Sequence, residues 1–72
     1  MRTVETISIV VNGEAKTAPS GATVTQLLEW LALRPGRVAI ERNLEILPRS
    51  EWATTQVEPG DRYEIVQFVG GG

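Results

Sequence analysis

The chain has 72 residues, with nine acidic and seven basic side chains, a net charge of -2, no cysteine and no histidine. That length holds one small domain. The composition excludes disulfides, thiolate nucleophiles, the usual Cys/His zinc sites and histidine acid-base catalysis, and no Lys/Arg cluster offers a phosphate backbone a footing.

From the N-terminus, Met1 to Thr6 contains an acid, and the apolar run from Ile7 is broken by Ser8 and ended by Asn12-Gly13. It is too short and polar for a signal-peptide core or a membrane span, so the chain reads as cytoplasmic with no membrane partner. Ile7, Ile9 and Val11 alternate with Ser8 and Val10 and predict a strand. Asn12-Gly13 supplies the positive φ angles of a type I′ turn, and Glu14 to Ala18 returns as a second strand that Pro19-Ser20-Gly21 stops.

Thr23 with Gln26 three residues on is a capping box, and Val24, Leu27, Leu28 and Leu31 fall on one side of the helix that follows. Trp30 sits at the margin of that side. The helix is expected to run to the Pro35-Gly36 stop, with Leu33 tucked under its exit. Val38-Ala39-Ile40 and Glu45-Ile46-Leu47 read as short strands joined at Asn43-Leu44, and Ser50 to Ala53 as one helical turn pinned by Trp52. Glu58-Pro59-Gly60-Asp61 fits a type II turn. Tyr63 to Phe68 is the last strand, with Tyr63 and Ile65 on one face and Glu64, Val66 and Phe68 on the other.

Five short strands and one amphipathic helix bury their apolar rows best as a mixed sheet with the helix across one face. The predicted class is therefore α+β, a ubiquitin-like β-grasp of order ββαββ, short helical turn, β. Residues 1–69 form the domain and Gly70-Gly71-Gly72 a flexible tail that gains no packing when ordered. Three glycines reach about 10 Å fully extended, thin enough to thread a narrow tunnel. On composition alone they read equally as a plain terminus. A phosphate-binding loop is excluded, since neither a following helix nor a lysine with Ser or Thr is present.

The run Asn43-Leu44-Glu45-Ile46-Leu47-Pro48-Arg49-Ser50-Glu51-Trp52, the turns Asn12-Gly13 and Gly60-Asp61, the helix Val24-Thr25-Gln26-Leu27-Leu28 and the ending Phe68-Val69-Gly70-Gly71-Gly72 resemble the ubiquitin-like sulfur carrier family of thiamin biosynthesis, the ThiS family. Apart from the first few residues, the resemblance covers the chain. It implies a carrier and not an enzyme. The Gly72 carboxylate would be adenylated by an E1-like adenylyltransferase (ThiF-like) using ATP and a sulfur donor, then converted to a thiocarboxylate for a thiazole synthase (ThiG-like). No cofactor would be bound by the carrier itself, and Gly70 and Gly71 would enter partner active sites. Val66, Phe68 and Val69 are expected to dock partners, or Val66 and Phe68 to lie under the Trp52 segment. Arg42, Arg49 and Arg62 are read as solvated charges or as contacts for an acidic partner. The small subunit of molybdopterin synthase, a ubiquitin-like modifier and a plain interaction module are the competing readings.

Overall fold

The computed structural model describes residues 5–68. Its elements are β1 (Thr6–Val11), β2 (Glu14–Pro19), α1 (Val24–Trp30), β3 (Val38–Arg42), β4 (Glu45–Ile46) and β5 (Arg62–Gln67), with 3₁₀ turns at Pro35–Arg37 and Arg49–Glu51. The strands form one sheet in the order β2-β1-β5-β3-β4. β5 is central, parallel to β1 and antiparallel to β3, and the hairpins β1-β2 and β3-β4 flank it. This is the expected β-grasp, with its last strand in the middle. Val69 and the tail expected over 70–72 lie outside the described residues.

Alternation in the strands sends Ile9, Val11, Val38, Ile40, Tyr63 and Ile65 to one face, where Val24, Leu27 and Leu28 of α1 close over them. Leu27 and Leu28 are fully buried, and each such side chain contributes about 1.5–3 kcal/mol. Trp52 and Val57 complete the core from the long connection before β5. Trp52 donates its indole N–H to the Leu47 carbonyl at 3.0 Å, and the Arg49 guanidinium lies 4.7 Å from its ring centroid. The 3₁₀ turn is thereby pinned, as its sequence suggests.

The start of α1 leaves no donor idle. Gln26 and Thr23 form the capping box, each donating its backbone N–H to the other's side chain at 3.2 and 2.9 Å. The Val24 and Thr25 N–H groups donate instead to the Thr55 and Trp52 carbonyls, at 2.9 and 3.3 Å. The helix is thus docked end-on against the connection that leads to β5.

Its end differs from expectation. The helix stops at Trp30, with Leu31 as C-cap, rather than continuing to Pro35-Gly36. Ala32 turns left-handed at φ 60, its N–H donating to the Glu29 carbonyl at 3.0 Å, while the Leu33 N–H reaches the Leu28 carbonyl at 2.8 Å. That bond pair is a Schellman motif. It brings Leu33 back against the core, and Pro35 holds Arg34 in extended conformation, so a longer helix would forgo both. Trp30 stays half exposed and donates its indole N–H to the Thr17 carbonyl on the edge of β2 at 2.9 Å.

Two exposed residues therefore hold conformations that suit glycine: Ala32, and Leu44 at φ 73 in the β3-β4 turn. The left-handed form costs an L-residue roughly 1–2 kcal/mol, of which glycine returns about 0.4–1 as unfolded-chain entropy. Ala32→Gly and Leu44→Gly are each expected to stabilise the fold by about 0.5–1 kcal/mol, read as a higher urea midpoint at unchanged slope.

Candidate functional site

The residues singled out in the sequence lie at and beyond the end of β5, so what positions that strand positions the site. At its start, the buried Asp61 carboxylate collects five contacts. Oδ2 accepts from Arg42 Nε at 2.9 Å, from the Tyr63 hydroxyl at 2.8 Å and from the Glu58 backbone N–H at 2.9 Å, and is ion-paired with Arg42 Nη2 at 2.9 Å; Oδ1 accepts from Asn43 Nδ2 at 3.1 Å. The type II turn expected over Glu58 to Asp61 is closed by the Asp61 N–H on the Glu58 carbonyl at 3.1 Å, with Gly60 at φ 84. The Gly60 N–H then donates to the Ser8 carbonyl at 2.8 Å and ties the turn to β1.

Asparagines from the two hairpin turns grip the strand from either side. Asn43 donates its N–H to the Arg62 carbonyl at 2.8 Å and accepts the Arg62 N–H on Oδ1 at 2.9 Å. Asn12 donates its N–H to the Tyr63 carbonyl at 2.8 Å, and its side-chain amide takes the next ladder position, accepting the Ile65 N–H at 2.7 Å and donating to the Ile65 carbonyl at 3.1 Å. A side chain so continues β1 for one register step after the backbone has turned away. Past it, β5 pairs with β3 alone, to the Phe68 N–H on the Arg37 carbonyl at 2.7 Å.

The electrostatics of the hub follow from these contacts. Burial opposes both charges, lowering Arg42 and raising Asp61, and hydrogen bonding overcomes it in each case. Bonds to Tyr63 and Asp61 hold the guanidinium above its usual value, and bonds from Glu58, Asn43, Tyr63 and Arg42 hold the carboxyl below its own. The Tyr63 hydroxyl, buried first and then committed as donor to Asp61, is pushed up to about 12. Arg42 is therefore spent within the fold. Its expected availability to an acidic partner is overturned, because a buried carboxylate needs its compensating charge. Arg49 is engaged on Trp52, whereas Arg62 stays exposed.

Val66 and Phe68 are 57% and 59% exposed, on the face of the sheet opposite α1. The Trp52 segment does not cover them, since Trp52 is buried in the core. The structure adds Ile46, 80% exposed, and Leu44, 87% exposed, to which the sequence reading gave no site role. The usable signal was that Ile46 is followed by Leu47, which packs against the core just after β4 ends and so leaves its neighbour Ile46 facing out. Val69, Gly70, Gly71 and Gly72 lie outside the described residues. Among the described residues there is no group of three or more His, Cys, Asp or Glu placed to hold a metal, and no helix is long and apolar enough to cross a membrane.

Asp61→Asn strands a partly buried guanidinium and is expected to cost about 2–3 kcal/mol at neutral pH. Because the folded Asp61 value lies below 3.8, its stabilisation is complete above about pH 4 and is lost as pH falls through the folded value. The gap between native and variant urea midpoints should then hold from neutrality down to that point and close below it. Tyr63 acts oppositely: with the unfolded phenol at 10.0 and the folded one at about 12, its contribution is intact below pH 10 and fades above it, a loss that Tyr63→Phe should lack.

Known proteins match this arrangement over most of the chain. The ThiS family model matches residues 8–72. The sulfur carrier protein ThiS of Escherichia coli K12 is 36% identical over 66 residues, covering 92% of this chain and 100% of that one. A thiazole synthase of Paramagnetospirillum magneticum is 46% identical over 66 residues, and the chain spans 20% of that protein's length. The crystal structure of ThiS from Geobacter metallireducens superposes with a TM-score of 0.78 at 35% identity, covering 92% of this chain and all of that one. With the family's sequence pattern matched over residues 8–72 and its fold shared by the described residues, the chain belongs to the ThiS family.

Proposed function

We propose that this chain is a sulfur carrier of thiamin biosynthesis, a protein co-substrate rather than a catalyst, whose reactive group is the carboxylate of Gly72. The observation that carries the reading is the placement of β5 in a member of this family: a central strand fixed by Asp61, Asn12 and Asn43 and directed toward residues 69–72 beside an open apolar face.

A carboxylate resists nucleophiles because it is anionic and has no leaving group. An E1-like adenylyltransferase supplies one from ATP, forming the acyl adenylate and releasing pyrophosphate. The terminal sulfur of a partner persulfide then displaces AMP, giving an acyl disulfide. A thiol cleaves its S–S bond, leaving the thiocarboxylate on the carrier and a disulfide behind. The anionic thiocarboxylate is the nucleophile that a thiazole synthase takes up. No step asks this chain for an acid, a base, a metal or a bound cofactor, and its lack of His and Cys accords with that.

Gly70 and Gly71 give the reacting end a cross-section that enters a narrow site, and Val66, Phe68 and Val69 give the partner a surface to hold. The thiazole synthase relatives support the second partner, since a stretch similar to this chain makes up one fifth of each. A carrier joined to its acceptor enzyme raises the effective concentration of the transfer.

Incubation with an E1-like adenylyltransferase, ATP and a persulfide donor should raise the intact mass by the difference between one sulfur and one oxygen, localised to the C-terminal peptide. An unchanged mass with an active partner refutes the reading, and isopeptide ladders on other proteins would replace it with a modifier. Val66→Asp and Phe68→Asp alter exposed sites, so each should keep the native urea midpoint to within about 0.5 kcal/mol while lowering kcat/KM for activation roughly ten-fold or more.

A further inference from the structure

The open face has a second property that its apolar residues do not explain. In the β3-β5 ladder Glu41 stands directly across from Glu64, both exposed and both on the face opposite α1. Opposed residues of a hydrogen-bonded antiparallel pair have α carbons about 5.5 Å apart, and like charges so placed repel. Neither carboxylate joins an ion pair among the described residues; the two recorded bridges are Lys16 with Glu14 and Arg42 with Asp61. Arg62, two residues before Glu64 on the same face, forms none either.

Glu41 and Glu64 line one depression of 180 Å³ together with Ala39, Ile40, Ile46 and Val66. Its volume falls below the roughly 300 Å³ at which small-molecule sites begin. It suits one long side chain, with an apolar wall on either flank and two acceptors between them. Arginine answers that description best: its stem lies along apolar surface while its fork donates to two carboxylates at once.

We infer that the Glu41-Glu64 pair, set between Ile46 and Val66, receives an arginine side chain from an apolar patch of the partner protein. The inference rests on the docking role proposed above and names the chemistry that the docking surface selects. In the free protein the pair is a repulsion held in place by the ladder. In the complex it is the contact that distinguishes a basic, apolar partner surface from a merely apolar one, whose approach would desolvate two uncompensated charges.

A titration that needs no enzyme tests this. The 15N-labelled full-length chain is mixed with N-acetyl-Leu-Arg-Phe amide, and separately with the peptide carrying citrulline in place of arginine. The arginine peptide should give saturable shifts at the amides of Glu41, Ile46, Glu64 and Val66. The isosteric neutral peptide should bind roughly ten-fold more weakly, and Glu41→Gln/Glu64→Gln should abolish the difference. Equal binding of the two peptides, or no saturable shift on this face, overturns the inference. The same double variant should unfold at a higher urea midpoint in low salt because the repulsion is relieved; an unchanged or lower midpoint also overturns it. A chain that takes sulfur but does not discriminate the peptides keeps the carrier function and loses this surface. One that discriminates them but takes no sulfur keeps the surface and loses the function.

Discussion

Everything that gives β5 its position converges on the Asp61 carboxylate. A strand that comes last in sequence and lies in the middle of a sheet has to fit between two hairpins closed by local turns. The residue just before it is where that fit is registered. Asp61 bonds both to the end of β3 through Arg42 and to the β3-β4 turn through Asn43, while its own carbonyl accepts the Val10 N–H of β1 at 2.9 Å. One buried charge thus fixes both neighbours of the strand at once. A shifted register is costly on two counts, because a slip by one residue would part the carboxylate from Arg42 and Asn43, leaving a guanidinium unpaired, and would turn Tyr63 and Ile65 out of the core.

Where the sequence was legible, the signal was local. The Asn12-Gly13 turn, the Thr23/Gln26 capping box, the alternation of β1 and β5 and the Pro59-Gly60 turn each depend on neighbours within four residues, and each lies where its pattern placed it. The end of α1 was not legible, because Ala32 carries no left-handed signal of its own and the bonds of Leu33 compete with helix only once the core is present. The Asp61 hub was hidden for the same reason: Arg42 and Asp61 are 19 residues apart and nothing in either neighbourhood announces the other. For the site, the sequence located Val66 and Phe68 through strand alternation. Ile46 needed the observed register of β4 against β3 to join them on one face.

The sheet carries two contrary surfaces on the same strands. Residues 63 and 65 of β5 face α1 and are buried; residues 64, 66 and 68 face outward and are not. Exposed apolar side chains and opposed carboxylates both work against the stability of the isolated domain, and the left-handed Leu44 adds to them. Apart from the left-handed Ala32 at the end of α1, these departures collect around β4 and the outward face of β5, while the β1-β2 hairpin and the start of α1 obey their local rules. That division is expected where a surface is shaped by what it meets rather than by the core behind it.

The side chain of Asn12 has a mechanical consequence. By bonding both backbone groups of Ile65 it ends the β1 side of the ladder, and among the described residues the Gln67 backbone, facing the same way, has no partner there. Tension applied to the chain beyond Phe68 therefore falls first on the one row of bonds that joins this end of β5 to β3. Behind it stand the Asn12 amide and then the Asp61 hub, which hold the strand from the β1 and β3 sides at once. The strand is held from one side at its exit and from both at its root, so a load on its end meets the β3 row before it meets the Asn12 amide and the Asp61 hub.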